Sequence, residues 1–480
     1  MNPNEIIERC RVKGIILQTE GEQLRFSAPV GALMPDLRQL LTENKKALVY
    51  LLQAHTTRSG PPTPELAPDL AQSKIPLSFA QQRLWFLDQL EPGKAVYNIS
   101  QTRRLMGKLN ISALESAYTR VIDRQAVLRT SFHAHEEVPQ QVIASMCTVE
   151  LHIVDYSALL ETERQEKVRS TLEQNSQYIF DLVHGPLIRT MLLRLSPSEH
   201  LLNVILHHII TDALSNGIFW HDLAQYYRAI VTETSPDLPS LPIQYADYAV
   251  WERVRVEGRE GDRQRSYWKA VLHDAPRTVD LPTDHSRPPL QSYQGNTEAM
   301  CLSETLTTRI KAFNQQHHVT VFMTLLSVFN VWLFLMGRQA DLVVGVPITN
   351  RRHQDLASVM GFFVNTIVLR TRLQPKHTFM EILEHVRTVC LNAYAHQDFP
   401  FEQTVKMIQP QRDLSRHPLF QIMFQVLPKS EPSVQWPDIE VTPFREVWRT
   451  ARLDLSVTLR ETDQGLDGTL TYSTDLFEPS

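Results

Sequence analysis

Residues 54–74 constrain the fold of this chain more than any other stretch. Prolines stand at 61, 62, 64 and 68 among Thr, Ser and Ala, with no hydrophobic period. Each proline lacks a backbone donor, and such a composition behaves as a semi-rigid linker. The chain therefore reads as a small self-contained unit, residues 1–53, followed by a long one. The small unit has helical spacing over 4–13, then strand-like stretches at 15–19 and 23–27 joined by a turn at Glu20-Gly21-Glu22. Pro35 suits the first position of a helix, and Leu37, Leu40, Leu41, Leu48, Leu51 and Leu52 follow at helical spacing. The expected order is α-β-β-α-α, with Ile15, Leu17, Leu24 and Phe26 along the hairpin. So small a core is marginally stable.

Beyond the linker, strands and helices mix. Residues 201–208 (LLNVILHH) are short, apolar and β-compatible, and residues 213–230 have helical periodicity. Residues 342–348 read as a buried strand and 378–391 as a helix. Residues 319–337 run uncharged for a length that brings a bilayer span into question. Thr320, Thr324, Ser327 and Asn330 interrupt the run and no Lys/Arg cluster flanks it, so a buried helix is expected. The chain stops at Ser480 just after a strand-like GTLTYSTDLF and reads as cut from something longer.

A net charge of −5 carries no basic face, which argues against nucleic-acid and membrane-surface partners. Neither G-x-G-x-x-G nor G-x-x-x-x-G-K-[ST] occurs, nor H-E-x-x-H, nor G-x-S-x-G. Cys10, Cys147, Cys301 and Cys390 form no C-x-x-C pair, so neither a disulfide framework nor a zinc site is expected, and a reducing cytoplasm fits. No metal is expected, since no third ligand stands at a persuasive spacing from the histidine pair described next.

That pair, His207-His208, opens the sharpest local feature, which ends at Asp212 where a strand gives way to a helix. Adjacent strand residues point to opposite faces, so His208 would share a face with Leu202, Val204 and Leu206, and His207 with Ile205. Asp212 stands where a carboxylate caps free N–H groups at the positive end of the helix dipole. The N–H groups starting near Ala213 are ready-made oxyanion donors. The same residues also suit a bland role, as a hydrogen-bonded histidine and a helix cap.

The rest of the chain decides between them. Leu77-Ser-Phe-Ala-Gln-Gln-Arg-Leu-Trp85-Phe-Leu87, Arg124 to Phe132, His207 to Asp212 and Tyr245-Ala-Asp247-Tyr-Ala-Val-Trp251 occur in order. Val344 to Arg351, Gly361-Phe-Phe-Val-Asn365-Thr366, His396-Gln-Asp398-Phe-Pro400-Phe-Glu402 and Arg412 to Gln421 complete the series. In these elements, from about Pro76 to Phe477, the chain resembles the condensation domains of nonribosomal peptide synthetases. It departs from them at Gln125-Ala126, where the family usually has His-Glu, and at Ala213, where it usually has glycine. Residues 1–53, with Gly31-Ala-Leu-Met-Pro35, resemble the N-terminal docking domains of synthetase subunits, of the tubulysin-synthetase type.

The resemblance implies an α/β (α+β) fold of two chloramphenicol-acetyltransferase-like lobes in a V around a tunnel. The lobes would span 75–250 and 251–480, the second truncated, behind the docking domain and a 54–74 linker. It implies acyl transfer: the α-amine of a downstream aminoacyl carrier attacks an upstream acyl or peptidyl thioester. Both substrates ride on 4'-phosphopantetheine arms of carrier proteins, and no cofactor is bound covalently. His208 would act as base or hold the amine in line, and His207 would pack. Asp212 would pair with Arg351 structurally, and Ala213 would keep the backbone donor. Expected partners are the upstream carrier, the C-terminal docking tail of a preceding subunit, and downstream carrier and adenylation domains. The opening element resembles the subtype accepting an L-configured donor. The alternative is a non-catalytic recruiting module; such relatives usually have a damaged active-site element, and Ala213 keeps that reading open.

Overall fold

The computed structural model describes residues 16–20, 23–27, 41, 75–136, 138–409, 413, 415–429, 435–444 and 450–479. The chain divides into two compact units, 1–65 and 66–480. In the first, β1 (Ile16–Glu20) and β2 (Gln23–Ser27) form an antiparallel hairpin with Glu20 opposite Gln23, Thr19 opposite Leu24 and Leu17 opposite Phe26. Glu20 belongs to the first strand rather than to the turn. Leu41 is helical and buried. Ile15, the expected helices at 4–13 and around Leu37 to Leu52 apart from Leu41, and the proline-rich linker lie outside the described residues.

The second unit opens with β3 (Ile75–Pro76) and α1 (Phe79–Leu90). Ser78 caps α1: its hydroxyl accepts from Gln81 N at 3.1 Å while Gln81 Oε1 accepts from Ser78 N at 3.1 Å. There follow β4 (Asn98–Gly107), α2 (Ile111–Arg124), β5 (Thr130–His135), β6 (Val138–Ile143), β7 (Leu151–Asp155), α3 (Glu161–Ser176), β8 (Ile188–Ser196) and β9 (Glu199–His207). Next come α4 (Ala213–Val231), α5 (Tyr245–Glu257), α6 (Arg259–Leu272), β10 (Gly295–Ser303), α7 (Glu304–His317), α8 (Val321–Gly337), β11 (Asp341–Thr349), β12 (Val364–Arg372), α9 (Phe379–Tyr394), α10 (Phe401–Ile408), β13 (Ile422–Leu427), β14 (Ile439–Phe444), β15 (Leu455–Thr462) and β16 (Gly465–Ser473).

A five-stranded sheet runs β14-β4-β9-β8-β7, and a six-stranded sheet runs β10-β16-β15-β13-β11-β12. A small third sheet runs β3-β6-β5, and its Phe132 packs into the same core as Leu105, Leu202 and Val204 of the first. β9 lies at the centre of its sheet and is buried over nearly its whole length, which is why LLNVILH reads as continuous rather than alternating. The edge strand β14 comes from far along the chain and pairs antiparallel with β4, Val441 opposite Leu105. The first sheet's core also takes Leu356, Val359, Met360, Phe363 and Trp436. The two sheets are thus stitched together by chain crossing in both sequence and packing.

α8 starts at Val321, capped by the Thr320 hydroxyl, which accepts from Met323 N at 3.2 Å. It buries one face, Met323, Leu326, Asn330 and Leu333, and leaves Val328, Trp332, Leu335 and Met336 exposed. The expectation of a buried helix therefore holds for one face only. Among the described residues no single helix is long and apolar enough to cross a membrane; α7 and α8 pass that composition test only as a pair, bent by 104°.

Candidate active site

The site is built where β9 ends. His207 is its last residue, opposite Asn98 of β4. Its ring is buried edge-on between Tyr97 and Phe180, at centroid distances of 6.3 and 6.2 Å, and its Nδ1 accepts from Ile209 N at 3.2 Å. That bond draws the chain out of the sheet: residues 208–210 form a 3-10 turn. Strand alternation therefore stops one residue short of His208, and the turn sets its direction instead. This corrects the expectation that strand geometry aims His208.

His208 N donates to Tyr97 O at 2.8 Å, and its Nδ1–H donates to Thr211 O at 2.8 Å. A carbonyl can only accept, so in the neutral ring the proton sits on Nδ1 and Nε2 keeps its lone pair. The ring is half-buried, tilted 4.6 Å from the Phe362 ring. Burial, then the charge of Arg452, push His208 down to about 4. Burial, then the neighbouring His208 and Arg452, push His207 down to about 3. At neutral pH both rings are neutral, and His208 Nε2 is a hydrogen-bond acceptor.

Asp212 is the N-cap of α4, its Oδ1 accepting from Ser215 N at 2.7 Å. Its Oδ2 accepts from Phe363 N at 3.0 Å, and Arg351 Nη2 lies 3.4 Å from Oδ1. The side chains are shut in, 1% exposed for Asp212 and 5% for Arg351. Arg351 also donates to Ser215 Oγ at 2.6 Å, to Leu356 O at 2.7 Å and to Val359 O, and its guanidinium lies over the Phe363 ring. Burial pulls the Arg351 guanidinium down from its usual range, against the Asp212 charge that holds it up. Three donors from two segments thus engage this shut-in carboxylate, which ties α4 to the 351–363 segment.

Ser215 Oγ donates to Gly361 O at 2.7 Å and accepts from Gly361 N at 3.0 Å. Tyr245 OH donates to Phe362 O at 2.6 Å. A Cβ on Gly361 would come within 1.8 Å of Tyr245 Cδ2, so only glycine fits there. Residues 361–363 are thus clamped at three successive positions, and Phe362 is presented to His208. Gln125, one of the departures noted in the sequence, fills a buried place across the same segment. Its Nε2 donates to Asp222 Oδ2 at 2.9 Å and Ser358 O at 3.0 Å, and its Oε1 accepts from Met360 N at 2.9 Å. Ala213, the other departure, is the first residue of α4, exposed, with no positive φ.

The structure therefore groups His208, Asp212, Ala213 and Arg351 around one strand–helix junction and sets His207 behind it. Sequence reasoning gave no part to Ser215, Phe362 or Tyr245 individually. Ser215 had a signal, the Asp-x-x-Ser spacing at a helix start; the other two are defined by contacts more than a hundred residues apart. Among the described residues no group of three His, Cys, Asp or Glu is placed to hold a metal. A cavity of about 180 Å³ beside Val279, Arg416 and Gln421 lies on other residues, its polar wall already occupied by the Arg287–Asp454 ion pair.

Comparison with known proteins follows this geometry. The family model described as "Condensation domain" matches residues 71–480, and that described as "TubC N-terminal docking domain" matches 4–54. Malpinin synthetase of Mortierella alpina is 38% identical over 413 residues, covering 86% of this chain and 5% of that protein. Phosphinothricin tripeptide synthetase PhsC of Streptomyces viridochromogenes is 34% identical over 462 residues, covering 94% and 41%. The chain thus spans less than half the length of either relative. Among solved structures, the X-domain in complex with OxyB from teicoplanin biosynthesis aligns with a TM-score of 0.78 at 28% identity, over 87% of this chain and 92% of that one. The starter condensation domain of rhizomide synthetase RzmA aligns at 0.73 and 20% identity over 86% and 92%, a likeness of fold.

Proposed function

The chain belongs to the condensation-domain family of nonribosomal peptide synthetases, with a docking domain ahead of it, and on that premise we propose the reaction it performs. It joins an upstream acyl or peptidyl thioester to the α-amine of a downstream aminoacyl thioester, both carried on phosphopantetheine arms. The observation that carries this reading is the tautomer of His208, fixed by the bond from Nδ1 to Thr211 O. Nε2 is left to accept a hydrogen bond from the amine, which holds the amine so that its nitrogen lone pair points at the thioester carbon. When the new C–N bond forms, nitrogen becomes positively charged and far more acidic, so even a weakly basic imidazole takes the proton. The thiol of the upstream arm leaves, and the peptide stays on the downstream arm. Asp212 and Arg351 hold the junction, His207 packs, and Ala213 supplies a helix-start N–H.

The same proposal covers the N-terminal unit. The β1–β2 hairpin, with Leu17, Leu24 and Phe26, offers strand edges to which an upstream subunit's C-terminal tail adds. Residues 54–74 link it to the condensation lobes, and a cytoplasmic setting suits Cys147, Cys301 and Cys390, all free thiols. The second reading, a recruiting module, is favoured by the alignment with the X-domain, which was solved in complex with OxyB. The undamaged junction from His207 to Asp212 favours catalysis.

The test is intact-mass detection of the condensed product from two loaded carrier proteins, with and without this chain. Product only when the chain is present supports the reaction; its absence with both carriers loaded favours recruitment. Calorimetry with the upstream tail peptide, using full-length chain and a chain lacking residues 1–53, tests the docking unit; equal binding by both defeats it.

A further inference from the structure

Arg452 lies just before β15, yet it reaches back to the start of β4. Its Nε and Nη2 both donate to Val96 O, at 3.0 and 2.7 Å, and its guanidinium stands 5.0 Å from the Tyr97 ring centroid. The next carbonyl, Tyr97 O, receives His208 N. One dipeptide therefore holds a cation on one side and the candidate reactive histidine on the other. Arg452 is half-buried, and burial lowers its pKa.

Several shut-in arginines meet carboxylates: Arg124 with Asp222, Arg255 with Asp398, Arg287 with Asp454, Arg351 with Asp212 and Arg370 with Asp341. Arg452 meets none within 4.0 Å among the described residues. Arg103, Arg189 and Arg253, as half-buried as Arg452, are held instead by aromatic faces, a carbonyl or side-chain amides, so what sets Arg452 apart is its place beside the Tyr97 carbonyl that receives His208 N. A carbonyl and an aromatic face offset part of the desolvation cost of a guanidinium, but they do not neutralise it. An arginine so placed suits a negative charge that arrives later. In amide formation from a thioester, that charge develops on the carbonyl oxygen as the amine attacks.

We propose that Arg452 is an electrostatic positioning residue of the condensation step, its guanidinium, which meets no carboxylate among the described residues, stabilising the negative charge that forms beside His208. The bonds balance as in the reaction above: carbon gains nitrogen, oxygen carries the charge transiently, and the thiolate leaves as the carbonyl re-forms. The same cation disfavours a proton on His208. The other ionisable groups facing that ring are His207 and Asp212, and Arg83 adds its charge to the field at Arg452. Removing the Arg452 charge therefore moves the His208 titration to higher pH.

This inference rests on the condensation reading, and the experiment separates the two. Single-turnover condensation is measured from pH 3.5 to 8 for the parent, Arg452→Gln and Arg452→Lys, with melting curves alongside. If the parent makes no product, the functional reading fails. With an active parent, Arg452→Gln is expected to lose roughly 10²-fold in rate and to shift the acid limb upward. Arg452→Lys, which keeps the charge, is expected within about tenfold of the parent with its acid limb unmoved. Arg452→Gln within twofold of the parent, or Gln and Lys equally slow, overturns the inference. If Arg452→Gln does not fold, Arg452→Lys decides: a loss beyond a hundredfold, or a displaced acid limb, overturns it.

Discussion

The two sides of the β9–α4 junction are four residues apart and built to opposite rules. On the Asp212 side the carboxylate and the serine are tied down: the carboxylate takes Ser215 N, Phe363 N and Arg351, and Ser215 takes both polar groups of Gly361. On the His208 side one ring nitrogen is anchored to Thr211 O and the other keeps its lone pair on a half-exposed ring. The difference teaches that the motif's carboxylate and histidine share a name but not a task. The first fixes where residues 361–363 sit, and the second lies against the Phe362 ring that they present.

If that division is right, damage to the open side should appear in rate alone. His208→Ala should lower single-turnover condensation by roughly 10²–10⁴-fold with an unchanged melting temperature. A variant that keeps most of its rate would remove His208 from the chemistry. Damage to the closed side should appear first in stability. Asp212→Ala and Arg351→Ala should each cost about 3–5 kcal/mol in chemical denaturation, because each leaves a buried partner uncompensated. The double variant should fall well short of the sum; additivity would mean that the two side chains do not interact.

His207 sharpens the comparison through pH. Its folded pKa of about 3 lies below the usual 6.5, so protonation favours the unfolded chain. Its contribution is present above about pH 6.5 and is lost as pH falls from there toward 3. His207→Asn keeps an acceptor for Ile209 N but removes the proton. Between pH 6 and 4 its stability should fall less steeply than the parent's, by up to about 1.4 kcal/mol per pH unit. Equal slopes in urea titrations would show that His207 is not buried neutral. Ala213→Gly should have the smallest effect, within a few-fold in rate, since the helix-start N–H is present in both and φ is ordinary. A gain of about a hundredfold, roughly 2.7 kcal/mol of barrier, would mark the native chain as impaired and favour the recruiting module.

The amino-acid sequence by itself determined the elements around the site. The apolar run before His207, the helical period after Asp212 and the capping position of Asp212 all depend on neighbours within a turn or a strand, where periodicity and capping operate. The order of short elements from Leu77 to Gln421 pointed to the family, and the Asp212–Arg351 pairing came with that resemblance, since no local rule joins residues 139 apart. Tertiary structure decided the rest. It ended β9 one residue early, because the His207 ring captures Ile209 N, and so aimed His208 by a turn. It left one face of α8 exposed although the run carries no charge, because only that helix's other face meets the core. It brought β14 back to β4, Tyr245 to Phe362, and Arg452 to the carbonyl next to the one that holds His208. Such contacts are chosen by shape and by the need to satisfy buried polar groups across the whole core, and neither leaves a period in the sequence.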